Sequence, residues 1–222
     1  ECAGSLCPVG SPDGHQLEVY RLGLHCRIRI DQVPFSGFCT AVYASAPGDC
    51  RNHVQKEDIH KAIMKYIGLI SDTHGVFSEQ FKEFLAPVDE VWHAGDFGGG
   101  FQTAEEIAAF KPLVGVAGNC DNYDLRYTHP VHRFFECEGF KVLMIHVGGY
   151  PGRYDVRARK LIDELKPDIF VCGHSHILKV VRDTKRNMLV LNPGAAGIQG
   201  FHLVRTALRF RLDAGKISEM EV

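Results

Sequence analysis

The chain has 222 residues, of which 45% are hydrophobic and 23% charged, and its formal net charge is −2. That near-neutral balance argues against a broad nucleic-acid-binding surface and against an acidic disordered tail. No apolar run approaches the ~18–20 residues a membrane helix needs, and the start, Glu1-Cys2-Ala3-Gly4-Ser5, has neither the basic nor the apolar stretch of a secretory leader.

Residues 1–63 hold scattered Gly, Pro and His and five of the eight cysteines, without a sustained helical or strand period. The first methionine is Met64, and the apolar run Tyr66-Ile67-Gly68-Leu69-Ile70 follows almost at once. Residues 1–63 are therefore read as an irregular N-terminal extension, non-native or loosely ordered, and residues 64–222 as one domain of ordinary length. The rival readings of the extension are a small Cys/His module and a partner-binding arm. No cysteine pair has C-x-x-C spacing, and Cys120, Cys137 and Cys172 cannot all pair with one another. A reducing compartment, and so a cytoplasmic location, suits them.

From Met64 onward strand and helix alternate. Residues 66–71 form a buried strand. Ser78 opens a helix to Ala86 with Phe81, Phe84 and Leu85 on one face. Residues 88–93 form a second strand. Thr103 and Glu106 have capping-box spacing and open a helix to about Phe110. Residues 112–117 form a third strand, and 134–137 with 141–146 a hairpin around Glu138-Gly139. Residues 153–166 read as an amphipathic helix ended by Lys166-Pro167, and 168–172 as a strand. Residues 177–182, 188–191, 201–212 and 217–222 continue as mostly antiparallel strands. Early βαβ units followed by hairpins imply an α/β fold, a mixed β-sandwich flanked by helices.

The chemistry falls at the strand ends. The first strand runs into Asp72-Thr73-His74, the second into Gly95-Asp96, and the third into Gly118-Asn119-Cys120-Asp121. A later strand ends at His146, and another runs into Gly173-His174-Ser175-His176. Residues i and i+2 of extended chain point the same way, so Asp72 with His74, and His174 with His176, can grip one ion. Each motif alone reads more simply as a turn or a solvated loop. Five in order, each beside glycine, are another matter. The carboxyl ends of parallel strands share one rim, so these loops can converge there.

The set D-x-H, G-D, G-N, H and G-H-x-H, carried by Asp72, His74, Asp96, Asn119, His146, His174 and His176, resembles the calcineurin-like metallophosphoesterases. Within them the chain is similar to the small single-domain YfcE-like phosphodiesterases. Asn192-Pro193-Gly194 is similar to that family's closing turn. The resemblance spans residues 64–222 and implies an αββα sandwich and a dinuclear site. One ion would be held by Asp72, His74, Asp96 and His176. The other would be held by Asp96, Asn119, His146 and His174, with Asp96 shared. Mixed nitrogen and oxygen donors suit Mn²⁺ first, then Fe, Zn²⁺ or Ni²⁺. The implied reaction is hydrolysis of a small phosphodiester by attack of metal-bridging hydroxide, with Asp96, Asn119 and His146 as the catalytic group.

Two departures bear on substrate. Cys120 stands where many relatives place a histidine, as it also does in the small phosphodiesterase branch, and a thiol is a poor substitute for imidazolium. The stretch after His146 lacks a second histidine and offers Tyr150 and Arg153 instead. Asn119, Cys120 and Arg153 are the expected substrate contacts. The competing readings are a nuclease and a catalytically weak scaffold or protein-binding module of the same fold. Sheet-edge pairing with a second copy would give a homo-oligomer.

Overall fold

The computed structural model describes residues 64–222, together with the backbone of residues 19–22 and 25–28. The latter segments are strands β1 (Val19–Leu22) and β2 (His25–Ile28), paired antiparallel. The sequence has no strand period there, so this hairpin is an addition to the expected irregular extension. The remainder of residues 1–63 lies outside the described residues.

Apolar alternation places the core. In β3 (Lys65–Ile70), Ile67 and Leu69 face one layer and Tyr66 and Ile70 the other. Both faces are covered, as in the buried strands of α/β sheets. β3 pairs in parallel with β4 (Glu90–His93), and β4 with β5 (Leu113–Gly115). On its other side β3 pairs antiparallel with β13 (Leu208–Asp213), which pairs antiparallel with β14 (Lys216–Glu221). β2 joins β14 at Arg27 opposite Glu221, which completes the first sheet.

The second sheet has the order β11 (Leu178–Asp183), β12 (Met188–Pro193), β10 (Ile169–Val171), β7 (Phe140–Ile145), β6 (His132–Cys137). Here β10 is parallel to both β7 and β12, while β6 and β11 run antiparallel at the edges. Ile67, Leu69, Trp92, Val142, Met144, Val171, Leu191 and Phe210 fill the space between the sheets. Trp92 is fully buried, with edge-on contacts to Phe135 at 5.2 Å and Phe210 at 5.9 Å.

Helices close the outer faces. α1 (Glu79–Leu85), α2 (Phe101–Phe110) and α3 (Tyr123–Thr128) lay Phe81, Leu85, Ile107 and Leu125 on the first sheet. α4 (Val156–Leu165) lays Ala158 and Ile162 on the second. The result is the expected αββα sandwich, and among the described residues no helix is long and apolar enough to cross a membrane.

Local readings differ in four places. Thr103 does not cap α2; it is buried inside the helix, whose N-cap is Gly100 at φ 68°. α3 was not expected from the sequence and is capped by Asn122, whose side chain accepts from the Leu125 N–H at 3.0 Å. Residues 153–154 are not helical: β9 (Arg153–Tyr154) pairs with β8 (Gly149–Tyr150), and α4 starts after Asp155, which accepts from the Arg157 and Ala158 N–H groups. Residues 201–207 form a loop, and only Leu208–Asp213 are strand.

Candidate metal centre

The predicted loops meet at the carboxyl ends of the parallel strands. Asp72 and His74 follow β3, Asp96 follows β4, and Asn119 and Cys120 follow β5. His146 follows β7, and His174 and His176 follow β10. Backbone bonds stitch these loops together: Asp72 N–H donates to Gly95 O at 2.9 Å, His74 N–H to Asp96 O at 3.1 Å, and Gly173 N–H to His146 O at 3.0 Å. The loops do not relax into ordinary backbone. Asp72, His74, Asp96, His174 and His176 all have positive φ, between 46° and 66°. Left-handed backbone costs a non-glycine residue roughly 1–2 kcal/mol. Five such residues in one cluster mark a place where geometry is held against local preference.

The side chains converge in three overlapping groups: Asp72, His74 and His176; His74, Asp96 and Cys120; and Asp96, His146 and His174. Within each group the donor atoms lie within 4.8 Å of one another. His146 Nε2 is 3.2 Å from Asp96 Oδ2, and His176 Nε2 is 3.1 Å from Asp72 Oδ1. Two donors each ~2.0–2.2 Å from a common ion come about 3 Å apart when they subtend a right angle, so this spacing fits metal ligation.

Hydrogen bonding leaves selected atoms bare. Asp72 Oδ2 accepts from Ser71 Oγ at 2.6 Å and from the His174 N–H at 3.1 Å, while Asp72 Oδ1 is buried with no partner. His146 Nδ1 lies 2.7 Å from Ala94 O, a group that only accepts, so in the neutral ring Nδ1 carries the proton and Nε2 is bare. His146 Nε2 is likewise buried with no hydrogen-bond partner, and it faces a carboxylate oxygen. Orphaned buried acceptors turned towards one another call for a cation.

Burial opposes charge on Asp96, but His146 and the Cys120 N–H, donating to Oδ1 at 2.8 Å, outweigh it and hold the carboxyl well below its ordinary range. Burial also opposes charge on His146, yet the Asp96 and Asp72 carboxylates and the Ala94 carbonyl outweigh it and raise its proton affinity above the ordinary value. Burial and the Asp96 and Asp121 carboxylates push the Cys120 thiol up, so it stays protonated at neutral pH.

Glycines keep the approach open. A Cβ on Gly118 would fall 2.0 Å from Asp96 Oδ1, and one on Gly173 would fall 2.0 Å from Ser71 Oγ. Asp121 went unnoticed in the sequence as a support. Its carboxylate accepts from the Asp96, Gly98 and Gly118 N–H groups at 3.0, 3.2 and 2.7 Å, tying the second and third loops together. Its place in Asn119-Cys120-Asp121 was the one available signal. His93 is structural. Nε2 donates to Thr73 Oγ1 at 2.9 Å, Nδ1 accepts from the Gly95 N–H at 3.1 Å, and the ring stacks on Phe97 at 3.6 Å. In the closing turn, Asn192 Nδ2 donates to Gly173 O at 2.8 Å and braces the loop of His174.

The remaining expected residues lie at the margin. Asn119 is exposed, with its amide 3.3 Å from Cys120 Sγ. Arg153 is exposed on β9 and lines a cavity of about 320 Å³ with Tyr150, Tyr154, Ile177 and Lys179. His174 belongs both to that cavity and to the cluster.

The calcineurin-like phosphoesterase superfamily domain matches residues 64–215. A protein named "Probable metallophosphoesterase" from Methanothermobacter thermautotrophicus is 34% identical over 134 residues, 58% of this chain and 76% of the relative. A Thermotoga maritima protein solved by solution NMR aligns with a TM-score of 0.51 at 25% identity, covering 69% of this chain and 96% of that one. Wild-type Vps29 from Entamoeba histolytica, solved in complex with zinc, aligns with a TM-score of 0.52 at 19% identity, covering 71% and 98%. The last likeness is one of fold.

Proposed function

The chain belongs to the calcineurin-like phosphoesterase superfamily, the metal-dependent phosphoesterases, and we propose that within it this protein hydrolyses small phosphodiesters at a dinuclear centre. Asp72, His74 and His176 would hold one divalent ion, and Asn119, His146 and His174 the other, with Asp96 shared between them. Mn²⁺ is the first candidate, and Fe, Zn²⁺ and Ni²⁺ suit the same donors. The observation that carries this reading is the pair of orphaned buried acceptors, Asp72 Oδ1 and His146 Nε2, inside a cluster of carboxylates and imidazoles. Bound ions supply Lewis acidity towards phosphoryl oxygens and an activated water.

The chain's own groups do the rest. Ala94 O fixes the His146 tautomer, and the Cys120 N–H steadies one oxygen of Asp96 and leaves the other facing His146. Asn119 and Cys120 stand at the open side, where a phosphate would enter. The cavity beside His174 gives an ester substituent room next to Arg153 and Lys179. Cys120 supplies no imidazolium to protonate a poor leaving group, which favours diesters with stabilised leaving groups. The scaffold alternative is disfavoured because all seven expected ligand positions keep ligating side chains.

Elemental analysis of protein purified without chelator, paired with hydrolysis of an aryl phosphodiester and the matching monoester, tests the proposal. Close to two transition ions per chain and faster diester turnover are expected. Absence of bound metal together with no rescue by Mn²⁺ would overturn it in favour of the scaffold.

A further inference from the structure

His202 lies in the loop between β12 and β13, outside every motif singled out above. Its Nδ1 is 3.2 Å from His176 Nδ1, and its Nε2 is 3.0 Å from Gly197 O. The two rings meet edge to face, 5.1 Å apart at 76°. A carbonyl oxygen can only accept, so His202 Nε2 carries the proton. In the neutral ring Nδ1 is then an acceptor, and His176 Nδ1 must donate to it. That strips the proton from His176 Nε2, which faces the orphaned Asp72 Oδ1 at 3.1 Å.

The surrounding backbone is shaped around this contact. A Cβ on Gly200 would fall 2.4 Å from His176 Nδ1 and 3.2 Å from His202 Nδ1. Gly197, which accepts from His202, also donates its N–H to Asp72 O at 3.0 Å, and a Cβ there would fall 2.4 Å from Thr73 O. The loop therefore grips the Asp72 segment with its backbone and the His176 ring with one side chain.

We infer that His202 is a positioning residue: through the chain Gly197 O, His202, His176 it sets the tautomer and aim of His176, so that Nε2 becomes a ligand for the cation shared with Asp72 and His74. The inference rests on the metal-dependent reading above and adds a residue to it. Ligating histidines are commonly oriented by a carbonyl or carboxylate on the other nitrogen, and loss of that partner typically weakens metal binding about 10–100-fold. Here a second imidazole takes that place and passes the anchoring on to a carbonyl.

The test is calorimetric titration of the 222-residue chain, stripped of metal with chelator, with Mn²⁺. His202→Phe keeps a ring but neither accepts nor donates; His202→Asn keeps an acceptor near the Nδ1 position. In His202→Phe one Mn²⁺ site is expected to weaken about 10–100-fold, while the site of Asp96, His146 and His174 stays within about threefold. His202→Asn recovers most of the loss, and thermal unfolding in chelator is the same for all three proteins. Wild-type affinities in His202→Phe overturn the inference and leave the metal reading standing. Equal weakening of both sites, or no recovery in His202→Asn, also overturns it. A wild-type chain that takes up no Mn²⁺ removes the metal reading itself.

Discussion

Replacing Gly118 by alanine tests the centre without replacing any proposed ligand. The φ of Gly118 is not in the left-handed region, so alanine meets no backbone penalty, and the effect is collision alone. The new methyl would sit 2.0 Å from Asp96 Oδ1, 2.3 Å from Asp96 N and 2.7 Å from Asp96 Cγ. Ordinary non-bonded contact needs roughly 3.5 Å, so the carboxylate must retreat by more than ~1 Å. A misplacement of that size costs about 100-fold in rate, close to 2.7 kcal/mol of transition-state stabilisation. Overpacking also destabilises the fold by about 1–3 kcal/mol, a fall in Tm of roughly 2–12 °C for a domain of this size. Gly68→Ala is the control. Its methyl would meet Leu85 Cδ2 at 2.5 Å, the movable tip of a core side chain away from the cluster. The control should lose stability yet keep its metal content and kcat/KM per folded molecule. Measured against it, Gly118→Ala should lose turnover and metal together. Wild-type kcat/KM and metal content in Gly118→Ala would refute the placement of Asp96.

Asp96→Asn should lower kcat by more than ~100-fold, beyond the loss of a supporting bond, with its circular dichroism unchanged because the Asp96 N–H still reaches Asp121; near-normal turnover would remove the shared role. Burial, then His129 and His146, hold His93 well below its ordinary value. The folded state therefore refuses a proton that the unfolded chain accepts, and stability that is full above pH ~6.5 is lost as pH falls below it, by up to about 1.4 kcal/mol per unit. In chelator, denaturant unfolding of His93→Gln between pH 6.5 and 5 should show a shallower slope than wild type, and equal slopes would sink this reading. Removing residues 1–63 should leave phosphoesterase activity intact, since every candidate ligand lies within residues 64–222; a truncated chain that fails to fold would make the extension part of the domain.

The converging loops were legible because metal chemistry restricts residue type and the strand ends set their spacing. Asp72, His74, Asp96, His146, His174 and His176 could be read without knowing how the sheets pack. The support beneath them was harder to see. Asp121 draws its role from three backbone N–H groups on two loops, and His202 from one ring reached across 26 positions. Such contacts have no local period. Thr103 misled because a capping-box spacing recurs by chance, and here Gly100 starts the helix a turn earlier. α3 is short, with Tyr123 and Tyr127 exposed, so no apolar stripe announces it. Residues 201–207 alternate like a strand, yet Phe201, Leu203 and Val204 face solvent.

The proposed ligand set is divided between the two layers of the sandwich: Asp72, His74, Asp96 and Asn119 hang from the first sheet, and His146, His174 and His176 from the second. Ions gripped by both sets would act as rivets through the laminate. Stripping them would free one plate to shear against the other, and the open rim would become the seam where a protease gains its first foothold.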